Sequence, residues 1–145
     1  MSGEVRLSEL LRFMSARVRQ GSFVFVTVDE QPADVEVLAS VVEAEGLSLV
    51  LSQQDADRLG LRYDFRAGWI TLQVHSALEA VGLTAAVSAA LTEQGISCNV
   101  IAGHHHDHLL VPLDRTEEAL AVLRELSGSA LGGGPVGDPT RGLRL

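Results

Sequence analysis

The most concentrated side-chain chemistry in the chain is the run His104-His105-His106-Asp107-His108. Neutral imidazoles and a carboxylate are good ligands for zinc or nickel. In an extended strand alternate side chains share a face. That geometry turns His104, His106 and His108 to one side, and His105 and Asp107 to the other. Residues two apart on a strand point in parallel, however, so one strand rarely encloses an ion. A polar hairpin is therefore favoured over a metal centre, and no metal or other cofactor is expected. A metal-binding protein built on His104 to His108 stands as the alternative. Imidazoles at these positions also suit pH-sensitive contacts.

Enzyme chemistry has less to work with. Ser76, a histidine and Asp107 can be combined on paper, but no strand–turn–helix nucleophile motif surrounds the serine. Gly132-Gly133-Gly134 follows no strand pattern, so it is not a phosphate loop. Cys98, the single cysteine, falls in an apolar strand pattern and reads as a small buried hydrophobe. All 11 basic residues are arginine, which removes lysine Schiff-base and P-loop chemistry. The expectation is a protein that is not an enzyme.

The chain has 145 residues, 46% of them hydrophobic and 21% charged, enough for a real core. Its formal net charge is −8, and no basic run interrupts the acidic balance. Nucleic acid is therefore not expected as a partner, because phosphate contacts dominate such binding. Met1 to Glu9 lacks the apolar core of a signal peptide, and no apolar run reaches the roughly 20 residues of a membrane helix. A cytoplasmic protein with no membrane partner is expected.

The elements that must position these residues follow from periodicity. Ser8 to Arg19 has helical spacing (Leu7, Leu10, Leu11, Met14, Val18), closed by Gly21. Phe23 to Val28 has strand composition. Val35 to Val42 and Leu47 to Ser52 alternate on either side of Glu45-Gly46, a hairpin signal; Val35, Leu38 and Val42 also fit a helical period, but the valine density favours strand. Ser52 caps a short helix to Leu59, closed by Gly60. Trp69 to Val74 is a strand, His75 to Leu83 a loop, and Thr84 caps a helix to Gln94, stopped by Gly95. Ile96 to Ala102 and His106 to Pro112 form a strand pair. A last helix starts at Asp114 or Thr116 and ends near Leu126. Ser129 to Leu145 is rich in glycine and proline and is expected to be a flexible tail. This order implies an α+β fold, with antiparallel sheet and helices packed on one face.

Within it, "SALEAVGLTAAV", "GISCNVIAG" and "HDHLLVP" resemble the ACT domain, and "EAEGLSLVL" extends the likeness into the first half. The pattern is similar to small bacterial proteins that pair an N-terminal ACT-like half with an ACT domain. The resemblance implies two ferredoxin-like halves of βαββαβ type. Their expected bounds are 1–66 and 67–128, with 129–145 as the tail. His106-Asp107-His108 matches the family pattern, whereas aromatic residues often stand where this chain has His104 and His105. That departure further weakens the metal reading.

ACT domains typically bind amino acids at the loop before the first helix, often across a dimer or pseudo-dimer interface. Carried over by position, the ligand residues are His75, Ser76, Leu78, Glu79, Val81, Gly82, Leu83 and Thr84. Asn99, His106 and His108 face them from the following strands. Gly82 admits a close backbone approach. The helix start offers free N–H groups to a carboxylate, and Glu79 suits an amino group. Ser76 and Thr84 could equally be mere caps and Glu79 a solvated acid. The implied function is a small-molecule sensor or regulator, with an amino acid as the expected partner. Self-association into a homodimer is compatible with it. An interaction module without a ligand is a further alternative.

Overall fold

The computed structural model describes residues 3–74 and 82–131 of the chain. Their elements are α1 (Gly3–Phe13), β1 (Ser15–Val28), β2 (Ala39–Glu43), β3 (Gly46–Ser52), α2 (Gln53–Arg58), β4 (Arg66–Gln73), α3 (Leu83–Glu93), β5 (Asn99–Ala102), β6 (His106–Pro112), a 3-10 turn (Leu113–Arg115) and α4 (Thr116–Leu131). The fold is α+β, as the patterning implied. The strands form one antiparallel sheet in the order β2-β3-β1-β4-β6-β5. The central pair β1–β4 serves both ends: β3 pairs with β1 on one side, and β6 with β4 on the other.

Alternation divides this sheet into two faces. Ile70 and Leu72 of β4 and Leu109 and Val111 of β6 meet Leu11 and Met14 of the α1 region, Leu83, Val87 and Leu91 of α3, and Ala119, Leu120 and Leu123 of α4. On the same face at the other end, Ala56 of α2 covers Val24, Val26, Leu49 and Leu51. The opposite face carries Phe23, Val50, Ala67, Trp69 and Leu110, with no helix among the described residues over it.

Helix α1 ends at Phe13, not at Arg19. From Ser15 the sequence alternates, and Ala16 and Val18 turn toward the helix-side core while Ser15, Arg17 and Arg19 are exposed. Period two over these residues overrides the helical spacing of Met14 and Val18, because pairing with β4 is available. β1 thus runs for 14 residues, with an irregularity between Arg19 and Phe23 where Gly21 takes φ 118°. Three residues of β1 there oppose the single Gly68 of β4, so Arg19 and Phe23 stay on one face.

The hairpin lies where expected, but β2 starts at Ala39 instead of Val35. Ser52 caps α2 by accepting from the Asp55 N–H at 3.1 Å. Gly82, not Thr84, is the N-cap of α3; it has φ 96° and no side-chain cap bond among the described residues. Helix α4 continues past Leu126 to Leu131 because Ser127 Oγ donates to the Leu11 carbonyl at 2.8 Å, tying it to the end of α1. Residues 132–145 of the expected tail lie outside the described residues. At its other end α4 sits directly on β4: a methyl group at Gly68 would collide with Thr116 Oγ1.

Candidate functional site

The expected site residues fall into two places. His75, Ser76, Leu78, Glu79 and Val81 lie outside the described residues. Gly82 and Leu83 belong to the helix layer. The space a Cβ would need at Gly82 lies 3.5 Å from Leu7 of α1, and Leu83 is buried in the helix-side core. Thr84 is exposed in the first turn of α3. Its neighbours' backbone N–H groups at this helix start have no side-chain cap among the described residues. The Gly82 carbonyl accepts the first helical bond, from the Ala86 N–H at 2.9 Å.

Asn99, His106 and His108 lie on the other face, where register sets side chains from three or four strands into rows. Ser15, Gln73 and His106 form one row; Arg17, Thr71, His108 and Ile101 the next; Arg19, Trp69, Leu110 and Asn99 the third. Ser15 Oγ donates to Gln73 Oε1 at 3.3 Å in the first. In the second, Thr71 Oγ1 and His108 Nδ1 are 3.0 Å apart, and Trp69 Nε1 lies 3.0 Å from Thr71 Oγ1 and 3.3 Å from His108 Nδ1. An indole N–H only donates, and it points at both Thr71 Oγ1 and His108 Nδ1, so Nδ1 is an acceptor and the Thr71 hydroxyl donates to it. His108 is therefore the neutral tautomer with its proton on Nε2. Burial holds this imidazole below its ordinary pKa of 6.5, and the nearby His106 adds to the effect.

Arg19 lies over two aromatic rings of the same face, with its guanidinium carbon 5.5 Å from the Trp69 centroid and 5.8 Å from that of Phe23. It also approaches Glu36 at 3.6 Å. Sequence reasoning missed Arg17, Arg19, Thr71 and Gln73 as one group, because residues 15–19 were assigned to a helix. The alternation Ser15-Ala16-Arg17-Val18-Arg19 was the available signal.

The histidine run does not form one extended face. β6 begins at His106, and His104 and His105 lie in the preceding turn with their rings 4.7 Å apart. Among the described residues no three His, Cys, Asp or Glu side chains converge as a metal-holding group. Among the described residues His106 Nδ1 is shielded from solvent and has no hydrogen-bond partner. Cys98 is half-buried against the helix-side core, and burial raises its thiol pKa, which suits the packing role expected of it. A separate cleft of about 510 Å³ lies beside the β1 irregularity, lined by Gln20, Ser22, Gln53 and Asp57 among others.

Two sequence-family models, each described as an ACT domain, match residues 2–68 and 64–125. A crystal structure of a Vibrio cholerae protein of unknown function, described as a possible transport protein, is 44% identical. The match covers 87% of this chain and 99% of that one, with a TM-score of 0.79. The chain belongs to the ACT domain family. An Agrobacterium tumefaciens protein shares the fold at 21% identity and TM-score 0.62, over 79% of this chain and 89% of that one. So does the ligand-free regulatory subunit of aspartate kinase from Thermus thermophilus, at 11% identity and TM-score 0.59, over 77% and 95%. No curated protein is significantly similar to the chain. Membership of the family supports a ligand-binding regulatory role. No helix among the described residues is long and apolar enough to cross a membrane.

Proposed function

We propose that this chain is a cytoplasmic, non-catalytic sensor that binds an amino acid at the start of α3 and passes occupancy on through self-association or a partner. The observation that carries the reading is the entry to α3. A left-handed Gly82 leads into a helix whose first N–H groups no side chain caps among the described residues. Such a helix start favours a carboxylate, through free donors and the positive end of the dipole. Glu79, a few residues earlier, would hold the ligand's ammonium group, with Ser76 and Thr84 as neutral contacts. The division into subdomains 1–66 and 67–128 belongs to the same proposal, and it makes the helix start a feature of the second.

Thermal-shift screening of the full chain against the common amino acids tests it. A ligand present at 100 times its Kd adds about 2.7 kcal/mol, a readily measured rise in melting temperature. The expected result is stabilisation by at least one amino acid, diminished in Glu79→Gln. Absence of any shift across the set at millimolar concentration would overturn the amino-acid reading.

A further inference from the structure

The open face of the sheet concentrates positive and donor groups in a chain that is otherwise strongly acidic. Across the rows Ser15–Gln73–His106 and Arg17–Thr71–His108, extended to Arg19, stand two guanidinium groups, two imidazoles, an amide and two hydroxyls, and no carboxylate. The chain as a whole has a net charge of −8. Asp107, on the other face of β6, acts on His108 through space. Glu36 meets Arg19 at 3.6 Å with both side chains substantially exposed. That separation is longer than a charge-assisted hydrogen bond, and an exposed pair of this kind is weak. Arg17 has no ion pair among the described residues.

Arg17 and Arg19 are alternate residues of one strand, so their Cα atoms are about 7 Å apart and their side chains leave the sheet on the same side. That interval suits one doubly charged group bridging both, or two carboxylates with one on each. Guanidinium forks match carboxylate and phosphate oxygens bidentately. The neighbouring strand adds Thr71 and Gln73 at the same levels as Arg17 and Ser15. The face is firm, because Trp69 beneath Arg19 is 4% exposed and the rows are fixed by ladder pairing.

We propose that this face is a binding site for a small dianion, a dicarboxylate or a phosphate-bearing metabolite, held by Arg17 and Arg19 with the Gln73 amide as a flanking donor. The site lies across the sheet from the start of α3 and does not rest on the amino-acid reading. A ligand that engages Arg19 draws its guanidinium away from the indole ring. Trp69 is the chain's one tryptophan, so its emission reports that event.

The test titrates the full chain with inorganic phosphate and, separately, with succinate, reading Trp69 emission at ionic strength held constant with chloride. A saturable change with either anion is expected, and which of the two responds assigns the phosphate or dicarboxylate source. Arg17→Gln and Arg19→Gln should each weaken binding by about tenfold or more, since a hydrogen bond to a charged group is lost. Arg17→Lys, which keeps the charge, should lose less and guards against a folding defect. Arg12→Gln, the same charge change on the exposed side of α1, should leave affinity unaltered. No saturable response to either anion, or an equal loss in Arg12→Gln, would overturn the proposal.

Discussion

Leu109 and Leu110 are consecutive on β6 and both fully buried, yet they serve different surroundings. Leu109 points into a layer where α1, α3 and α4 close over the sheet with aliphatic side chains. Leu110 points to the face without helices, where Trp69, Phe23, Val50 and Ala67 bury one another and polar residues take the rim. On the helix face burial comes from covering one element with another. On the open face it comes from Phe23 and Trp69 meeting edge to face at 5.4 Å, topped by Arg19 and edged by Thr71 and His108. The first arrangement is dense and apolar and offers a ligand little. The second keeps donors at the surface of a rigid platform. The helix face thus leaves a ligand only its edge, where α3 begins at Gly82, while the other face keeps donors along its strands.

The comparison breaks if truncation costs the same on both faces. Leu123 of α4 is fully buried on the helix face, so Leu123→Ala should cost about 2–5 kcal/mol through lost transfer energy and a residual cavity. Val41 on the open face of β2 is 61% exposed, and Val41→Ala should stay within about 0.5 kcal/mol. Urea unfolding of the two variants measures both. Equal losses would mean that something covers the open face in solution.

A sharper probe lies where the helix layer touches the sheet most closely. Gly68 opposes the irregularity in β1 and lies under Thr116, whose hydroxyl donates to the Leu113 carbonyl at 2.8 Å and starts α4. Gly68→Ala has no room there without displacing Thr116. It should destabilise by about 1–3 kcal/mol, as overpacking does. Gly68→Ala combined with Thr116→Ala, which removes the colliding hydroxyl together with its methyl, should recover part of that loss. A chemical-denaturation cycle on the two positions reads the coupling.

Element order and the hairpin around Glu45-Gly46 were legible because period two and turn chemistry agree there. So was the start of β6 at His106, and with it the reading of the histidines as a hairpin. The boundary between α1 and β1 was not. Met14 and Val18 continue a helical spacing while Ser15 to Arg19 also alternate, and only pairing with β4 decides between them. That one misplacement hid the second half of the open face, because a helix over residues 15–19 does not set Arg17 and Arg19 beside Thr71 and Trp69. The cap of α3 was misplaced for a related reason. Thr84 has good cap chemistry, but the backbone turns at Gly82, where a positive φ satisfies the entry without a side-chain bond. The grouping of Trp69, Thr71 and His108 is a register fact, and single-sequence periodicity gives no register between strands 37 residues apart.

His108 supplies the smallest expected effect. Its imidazole titrates below 6.5 in the folded chain, chiefly because burial disfavours the charged form; His106 and Arg19 push the same way and Asp107 opposes them. The sign follows from linkage. Between the lowered folded pKa and 6.5 the unfolded chain binds more protons than the folded one, so stability rises with pH across that window. The contribution is complete above 6.5 and is lost as the pH falls through the folded value. Geometry gives the reason in atoms: a proton on Nδ1 would confront the Trp69 N–H at 3.3 Å and reverse the Thr71 hydrogen bond. His108→Asn can keep an acceptor oxygen near the Nδ1 position and cannot titrate there. The difference in urea midpoint between wild type and His108→Asn should therefore change between pH 7 and pH 5, with wild type losing more on acidification. Trp69 emission should shift over the same window in wild type alone. A pH-independent difference would mean that His108 is held by packing and that its protonation state is of no consequence to the open face.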